Sequence, residues 1–263
     1  MFPYRDDNPT LATPIVTLAL IGANVLAWLL VQGAGTDPAL TRSVCHLGLI
    51  PGELLGRVPP GSEIPLGRYV CPVGGGPAPH TVLTSMFLHG SWLHLLGNMW
   101  FLWIFGNNVE DSMGRGRYVA FYLLCGLLAA LAQVAGNPGS PVPMVGASGA
   151  ISGVMGAYLV LYPRVRVHLF VFLGFFVTTF AVPAYFMLVY WMLLQGLGSA
   201  ADLARGGEGG GVAYLAHLGG FVAGAALIKL FARSELVEAH RAFIRRLQRP
   251  RRVQQDFGRG RWI

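Results

Sequence analysis

The sequence predicts an all-α membrane protein: a six-transmembrane-helix bundle whose short fourth helix opens in a water-filled cavity. Three observations carry that expectation. Of the 263 residues, 54% are hydrophobic and only 12% are charged, against about a quarter charged in a soluble domain. Apolar segments recur six times, near 11–32, 91–106, 118–133, 148–162, 182–197 and 212–231. Lys and Arg fall in alternate connections between them, the bias that orients membrane helices.

The first segment, Leu11 to Gln32, is long enough to span. No charged, apolar and small-residue cleavage pattern marks it as a signal peptide. Residues 1–10 are expected to form a cytoplasmic N-terminus, 11–232 the six-helix core and 233–263 a basic cytoplasmic tail. A long outer loop at 33–80 carries Leu47-Gly48-Leu49-Ile50-Pro51, apolar enough to lie partly in the interface. Segment two has an apolar approach from Thr81 to Leu88. The stretch Val167–Phe180 is also apolar, but Pro183 separates it from segment five. It reads as a re-entrant or interfacial segment, or as part of one long bent helix. The Gly- and charge-rich run Gly196–Gly211 reads as a mobile cap, and disorder is expected beyond Gln254.

With the N-terminus inside, the inner connections hold Arg5, then Arg115 and Arg117, then Arg164 and Arg166. The outer ones hold Arg42, Arg57 and Arg68 in the long first loop, none in the Pro-rich third, and Arg205 in the fifth. Of nineteen Lys and Arg residues, ten lie from Lys229 onward. A net charge of +7 concentrated there suits a tail near anionic lipid and not a nucleic-acid partner. Both ends therefore face the cytoplasm, and the protein is expected in a membrane such as a bacterial inner membrane.

Segment four begins at Ser148, after the Pro/Gly-rich break 137–143, and ends before Pro163. Its fifteen residues rise roughly 22 Å at ~1.5 Å each, whereas the hydrocarbon core is about 30 Å thick. If one end reaches a surface, Ser148 lies roughly 8 Å below the other. Backbone irregularity at that depth requires cover by protein or a water-filled cavity. Segments two, four and six all run from outside to inside, so His94, Ser148 and His217 fall at similar depth near the outer face. Ionisable groups there are costly and mark function. Gly149, Gly153 and Ala157 on segment four, and Gly220 and Gly224 on segment six, are spaced for close helix packing. That packing would bring Ser148 to His217.

A serine nucleophile needs a base within hydrogen-bond reach and donors aimed at the developing oxyanion. His217 can be the base. The first amides of a helix are free and its dipole favours negative charge. His94 and Asn98, four apart on one helix face, can add side-chain donors. No acidic residue sits at this depth in segments two, four and six, so the residues allow a Ser-His dyad and not a Ser-His-Asp triad. A His94/His217 metal site lacks a third ligand.

Three motifs carry a resemblance: His94-Leu95-Leu96-Gly97-Asn98, Gly146-Ala147-Ser148-Gly149, and Ala216-His217-Leu218-Gly219-Gly220 with Gly224. In this order, on segments two, four and six, they resemble the signatures of the rhomboid intramembrane serine proteases. The resemblance implies Ser148 and His217 as catalytic dyad, with His94, Asn98 and the Ser148 amide as oxyanion hole. Gly146 would shape the loop, and Gly149 and Gly220 would support the site. It implies transmembrane protein substrates cut near the outer face, no cofactor, and segment five with the cap gating lateral access. Glu110 looks like the family's acidic position at the inner end of segment two, with a structural role. Ser152 departs from the family, where some members place an aromatic ring against the catalytic histidine.

His89, near the break at Gly90, reads either as supporting the site by hydrogen bonding or as structural. His46, His80, His168 and His240 read as loop or surface residues. Cys45 and Cys71 share the outer loop and can pair in an oxidising compartment, while Cys125 reads as packing. Two other functions fit a polytopic chain: a non-catalytic rhomboid-like client-binding protein and a small-solute transporter. Both Ser148 and His217 being present opposes the first. The second would show related repeats or paired broken helices, which this sequence does not display.

Overall fold

Helices form where the chain is apolar over several turns and free of proline, and breaks fall at Pro and Gly. The computed structural model describes residues 2–59, 61–66, 69–73, 75–174, 176–204 and 212–248. Arg68, Arg205, the 205–211 part of the expected cap and the tail beyond 248 lie outside the described residues.

The chain begins with strand β1 (Phe2–Asp6) and helix α1 (Ile15–Leu26), which continues through a wider π turn at Ala27–Val31. Helices α2 (Ala39–Leu47), α3 (Pro51–Leu54) and α4 (Thr81–Thr84) follow, with a hairpin of β2 (Ser62–Leu66) and β3 (Tyr69–Val73) between the last two. The bundle is then built by α5 (Trp92–Met113), α6 (Arg115–Gly136) and α7 (Ser148–Leu161). Strands β4 (Arg166–Leu173) and β5 (Phe176–Pro183) lead to α8 (Ala184–Ala204), α9 (Tyr214–Phe231) and α10 (Ser234–Gln248). Among the described residues α6, α8 and α9 are long and apolar enough to cross a membrane, and Ile15–Val31 and α7 are shorter apolar helices. Leu30, Leu93, Leu193, Leu197, Val222 and Leu230 are exposed on the outside of the bundle, an apolar surface of the kind lipid covers.

Helix α7 is the centre. Every residue from Gly149 to Tyr158 is buried, as expected of a helix apolar all round. It packs most extensively on α9 and also on α6 and α5. The α7–α9 contact is backbone against backbone. A methyl group added at Gly220 would strike the carbonyl oxygen of Gly149, and one at Gly224 that of Gly153. The small-residue spacing on both helices therefore acts as the sequence indicated.

Glu110 has a clear structural task. Helix α1 lacks a side-chain cap of its own, and the Glu110 carboxylate accepts from the amides of Val16 (3.0 Å) and Thr17 (2.8 Å) and from the Thr17 hydroxyl (2.8 Å). Asp111 beside it accepts from Leu11 and Ala12. A carboxylate at a helix N-terminus satisfies free donors and complements the dipole.

Several expectations need correction. The protein is not purely helical: Val167–Phe180 forms most of an antiparallel β4–β5 hairpin and not part of one long bent helix, and β1 completes a three-stranded sheet in the order β1-β4-β5. The alternation that betrays a strand is missing because both faces of this stretch are apolar. Residues 196–204 continue α8, so this part of the expected cap is helix. The 33–80 loop holds two short helices and the β2–β3 hairpin, with Cys45 and Cys71 joined in a disulfide across a Cα separation of 5.5 Å. His240 is buried, its Nε2–H donating to the Pro9 carbonyl (2.9 Å) and its ring resting edge-on to Tyr162. His168 pairs with Asp7 at 2.8 Å.

Candidate active site

Ser148 is the first residue of α7, reached from a loop whose Gly146 takes φ 135°. That value is unfavourable for side chains. The loop is pinned where Gly146 donates its amide to the Ser85 carbonyl (2.9 Å). A Cβ on Gly146 would lie 2.9 Å from His94 Nε2 and 3.4 Å from Ser148 Oγ. The vacant side-chain position of this glycine is thus the space that both groups face.

The close α7–α9 packing places His217, one turn into α9, against the serine. His217 Nε2 is 2.7 Å from Ser148 Oγ. On the ring's other side Nδ1 is 2.8 Å from Gln195 Oε1, on α8. An amide oxygen only accepts, so Nδ1 carries the proton and Nε2 presents its lone pair to the serine hydroxyl.

His94 and Asn98 stand on α5 across the same cavity, which has a volume of about 640 Å³ and is also lined by Ser148, Trp191 and His217. The Gly90 amide donates to His94 Nδ1 at 3.4 Å, which leaves Nε2–H as a donor toward the cavity. The Asn98 side-chain nitrogen is buried and has no protein partner. A buried amide donor left unpartnered is destabilising by about 1–3 kcal/mol, the condition of a group kept ready for a ligand. Ser148, Gly149 and Ala150, at the start of α7, line the same cavity as these two side chains.

The hydrogen-bonding support expected of His89 is not seen, since neither of its ring nitrogens bonds to the site. His89 is fully buried, its ring edge-on to His94 at 5.1 Å. Its backbone is held on both sides by Gln32, which donates to the His89 carbonyl and accepts from its amide, each at 2.8 Å. Gly149 and Gly220 sit at the α7–α9 contact. Ser152 does not reach His217, because its hydroxyl donates to the Ser148 carbonyl at 2.6 Å.

A Rhomboid domain family model matches residues 78–234, more than half of the chain. The chain belongs to the rhomboid family. It is 32% identical to Rhomboid protein 1, mitochondrial, of Saccharomyces cerevisiae over 155 residues, covering 55% of this chain and 39% of that protein. Against the Rhomboid protease GluP of Bacillus subtilis it is 41% identical over 78 residues, 30% of this chain and 15% of the relative. The Presenilin-associated rhomboid-like protein, mitochondrial, of Homo sapiens is 33% identical over 100 residues, 37% of this chain and 26% of its own length. The chain therefore spans about two-fifths of the yeast relative and less of the others.

In this rhomboid the aromatic neighbour of the histidine comes from α8: the Trp191 ring centre is 5.8 Å from that of His217 and 6.1 Å from that of Phe221. Trp191 and Gln195 are what sequence reasoning missed. Their signal was present, an aromatic residue and an amide four apart in an otherwise apolar span. Nothing in the sequence, however, states which way that face turns.

Proposed function

We propose that this rhomboid is an intramembrane serine endopeptidase that cleaves transmembrane substrate proteins, with Ser148 and His217 as its dyad. The observation that carries the reading is the 2.7 Å contact between Ser148 Oγ and His217 Nε2 at the start of a short, central helix. In this reading Ser148 Oγ attacks the scissile carbonyl carbon while its proton passes to His217 Nε2. The oxyanion is received by the Ser148 amide, His94 Nε2–H and Asn98 Nδ2–H. Collapse breaks the C–N bond, His217 returns its proton to the departing amine, and the acyl group remains esterified to Ser148. Water then attacks the ester, losing a proton to His217; collapse breaks the C–Oγ bond, His217 returns that proton to Ser148 Oγ, and the carboxylic acid leaves.

Neither half-reaction needs a metal or organic cofactor. The substrate helix must unwind locally, since an intact helix keeps its carbonyls in hydrogen bonds. The bundle formed by α1, α5, α6, α7, α8 and α9 would supply six spans over 11–232, with 1–10 and 233–263 on the cytoplasmic side and Ser148 near the outer face. The basic tail would lie against anionic lipid. The names of the relatives place them in mitochondria and in a bacterium. The distribution of Arg and Lys supports the orientation with both ends inside, in a membrane such as a bacterial inner membrane.

Purified protein, reconstituted with a reporter transmembrane substrate, should cleave it, and Ser148→Ala and His217→Ala should each abolish turnover. A fluorophosphonate should label the wild type and not Ser148→Ala. Equal cleavage by the Ser148→Ala protein would discard this reading.

A further inference from the structure

Segment five enters the bundle through a small number of contacts. Tyr185, Phe186, Val189, Tyr190, Leu193 and Leu197 on α8 are exposed, so most of this helix faces away from the protein. Its inward face offers Trp191 and, one turn on, Gln195. An amide within an apolar span is costly unless it is bonded, and the partner of Gln195 is the imidazole of His217 at 2.8 Å. The described residues lining the cavity include no Asp or Glu, and its ionisable side chains are His94 and His217. Among the described residues, the hydrogen-bond partners of His217's ring are Gln195 and Ser148, and no carboxylate is among them.

We infer that Gln195 is a positioning residue for the reaction, its side-chain oxygen holding His217 in the Nδ1–H tautomer with the Nε2 lone pair aimed at Ser148. The inference rests on the Ser148–His217 reading and extends it to a helix outside the three sequence motifs. In this role a neutral oxygen is better matched to the site than a carboxylate. It fixes the ring by one hydrogen bond and requires no second charge to be desolvated, which is expensive in a low-dielectric interior. Trp191, its ring 5.8 Å from the imidazole, limits rotation from the same helix. The arrangement also links chemistry to the seating of α8. If α8 withdraws from α9, His217 loses both its acceptor and its aromatic wall, and the tautomer with Nε2–H, which cannot accept the serine proton, becomes accessible.

The test uses the full-length protein and three forms: wild type, Gln195→Met, which keeps the side-chain length, and Gln195→Glu, which keeps an acceptor oxygen. Histidine-labelled protein observed by 15N NMR reads the tautomer without reference to turnover. The wild type should show His217 protonated at Nδ1, and Gln195→Met should shift the ring toward Nε2–H. Kinetics on the reporter substrate should show kcat falling by about 10²-fold in Gln195→Met, the lower end of what a positioned general base contributes, with KM within about twofold. Gln195→Glu should recover at least a tenth of wild-type kcat and Gln195→Met should not, a difference that lost packing does not produce. The inference is overturned if wild-type His217 carries its proton on Nε2, or if Gln195→Met leaves kcat unchanged. It is equally overturned if the Met and Glu variants are impaired alike. A wild type that shows the Nδ1–H tautomer but neither cleaves nor takes fluorophosphonate would leave the positioning intact and remove the protease reading instead.

Discussion

Gly146 leaves open the space between His94 and Ser148, and its positive φ would strain any replacement. Gly146→Ala should therefore act twice, crowding the proposed place of the oxyanion and displacing the loop that presents Ser148. We expect fluorophosphonate labelling to fall by at least 10²-fold while circular dichroism still reports a helical protein. Asn98→Ala removes one donor and leaves the loop alone. It should lower kcat by about 10²- to 10³-fold with little change in KM, as for a contact strengthened in the transition state. These residues were legible because each is a polar or glycine exception in an apolar background. Gln195 is such an exception too. It escaped notice because no neighbouring motif indicates its direction, and only the packing of α8 on α9 gives it a partner.

Between elements, the α7–α9 contact and the β1–β4–β5 sheet differ in how far the sequence exposes them. Gly149, Gly153, Gly220 and Gly224 announce a close helix pair by their spacing. Gly224→Val, which places three carbons against the Gly153 carbonyl, should cost about 1–3 kcal/mol by overpacking. It should also reduce cleavage, because the same displacement parts His217 from Ser148; thermal unfolding and turnover measured together check this. The sheet is hidden by contrast, since a strand apolar on both faces has no period of two, and α3 and α4 are too short for any helical period to register. The sheet has its own pH response. Burial pushes the Asp6 carboxyl up from 3.8 to about 6, against the opposing bond from the Tyr158 hydroxyl. The folded state then favours the protonated acid, so this contribution to β1 docking is complete below pH 3.8 and is lost as pH rises through about 6. Hydrogen exchange in Phe2–Asp6, corrected for intrinsic rates, should be slower at pH 5 than at pH 7.5, and Asp6→Asn should remove the difference.

At the level of the whole molecule, the proposed topology puts the α6–α7 connection and α10 on opposite sides of the membrane. The native cysteines give little background for labelling, since Cys45 and Cys71 are joined and Cys125 is buried. In sealed inverted vesicles of bacterial inner membrane, a membrane-impermeant maleimide should reach Glu238→Cys and not Gly139→Cys; right-side-out cells should give the reverse. Labelling of both positions from one side would refute the topology. Charge bias is what proposes this arrangement from sequence alone, because it depends on totals and not on where each side chain points.

The β1 strand joins two distant parts of the chain: Asp7 and His168 meet across a sequence separation of 161 residues. A ribosome adding about 5–20 residues per second takes roughly 8–30 s to cover that distance. Phe2–Asp6 is therefore made well before its pairing partner, which is absent until four helices of the bundle have followed it. For that interval the backbone amides of this strand, which also carries Arg5 and Asp6, must be satisfied by something other than their final neighbour, and water, the insertion machinery or lipid headgroups are at hand. Completion of this sheet is consequently a late event in biogenesis, timed by translation and not by the speed of local folding.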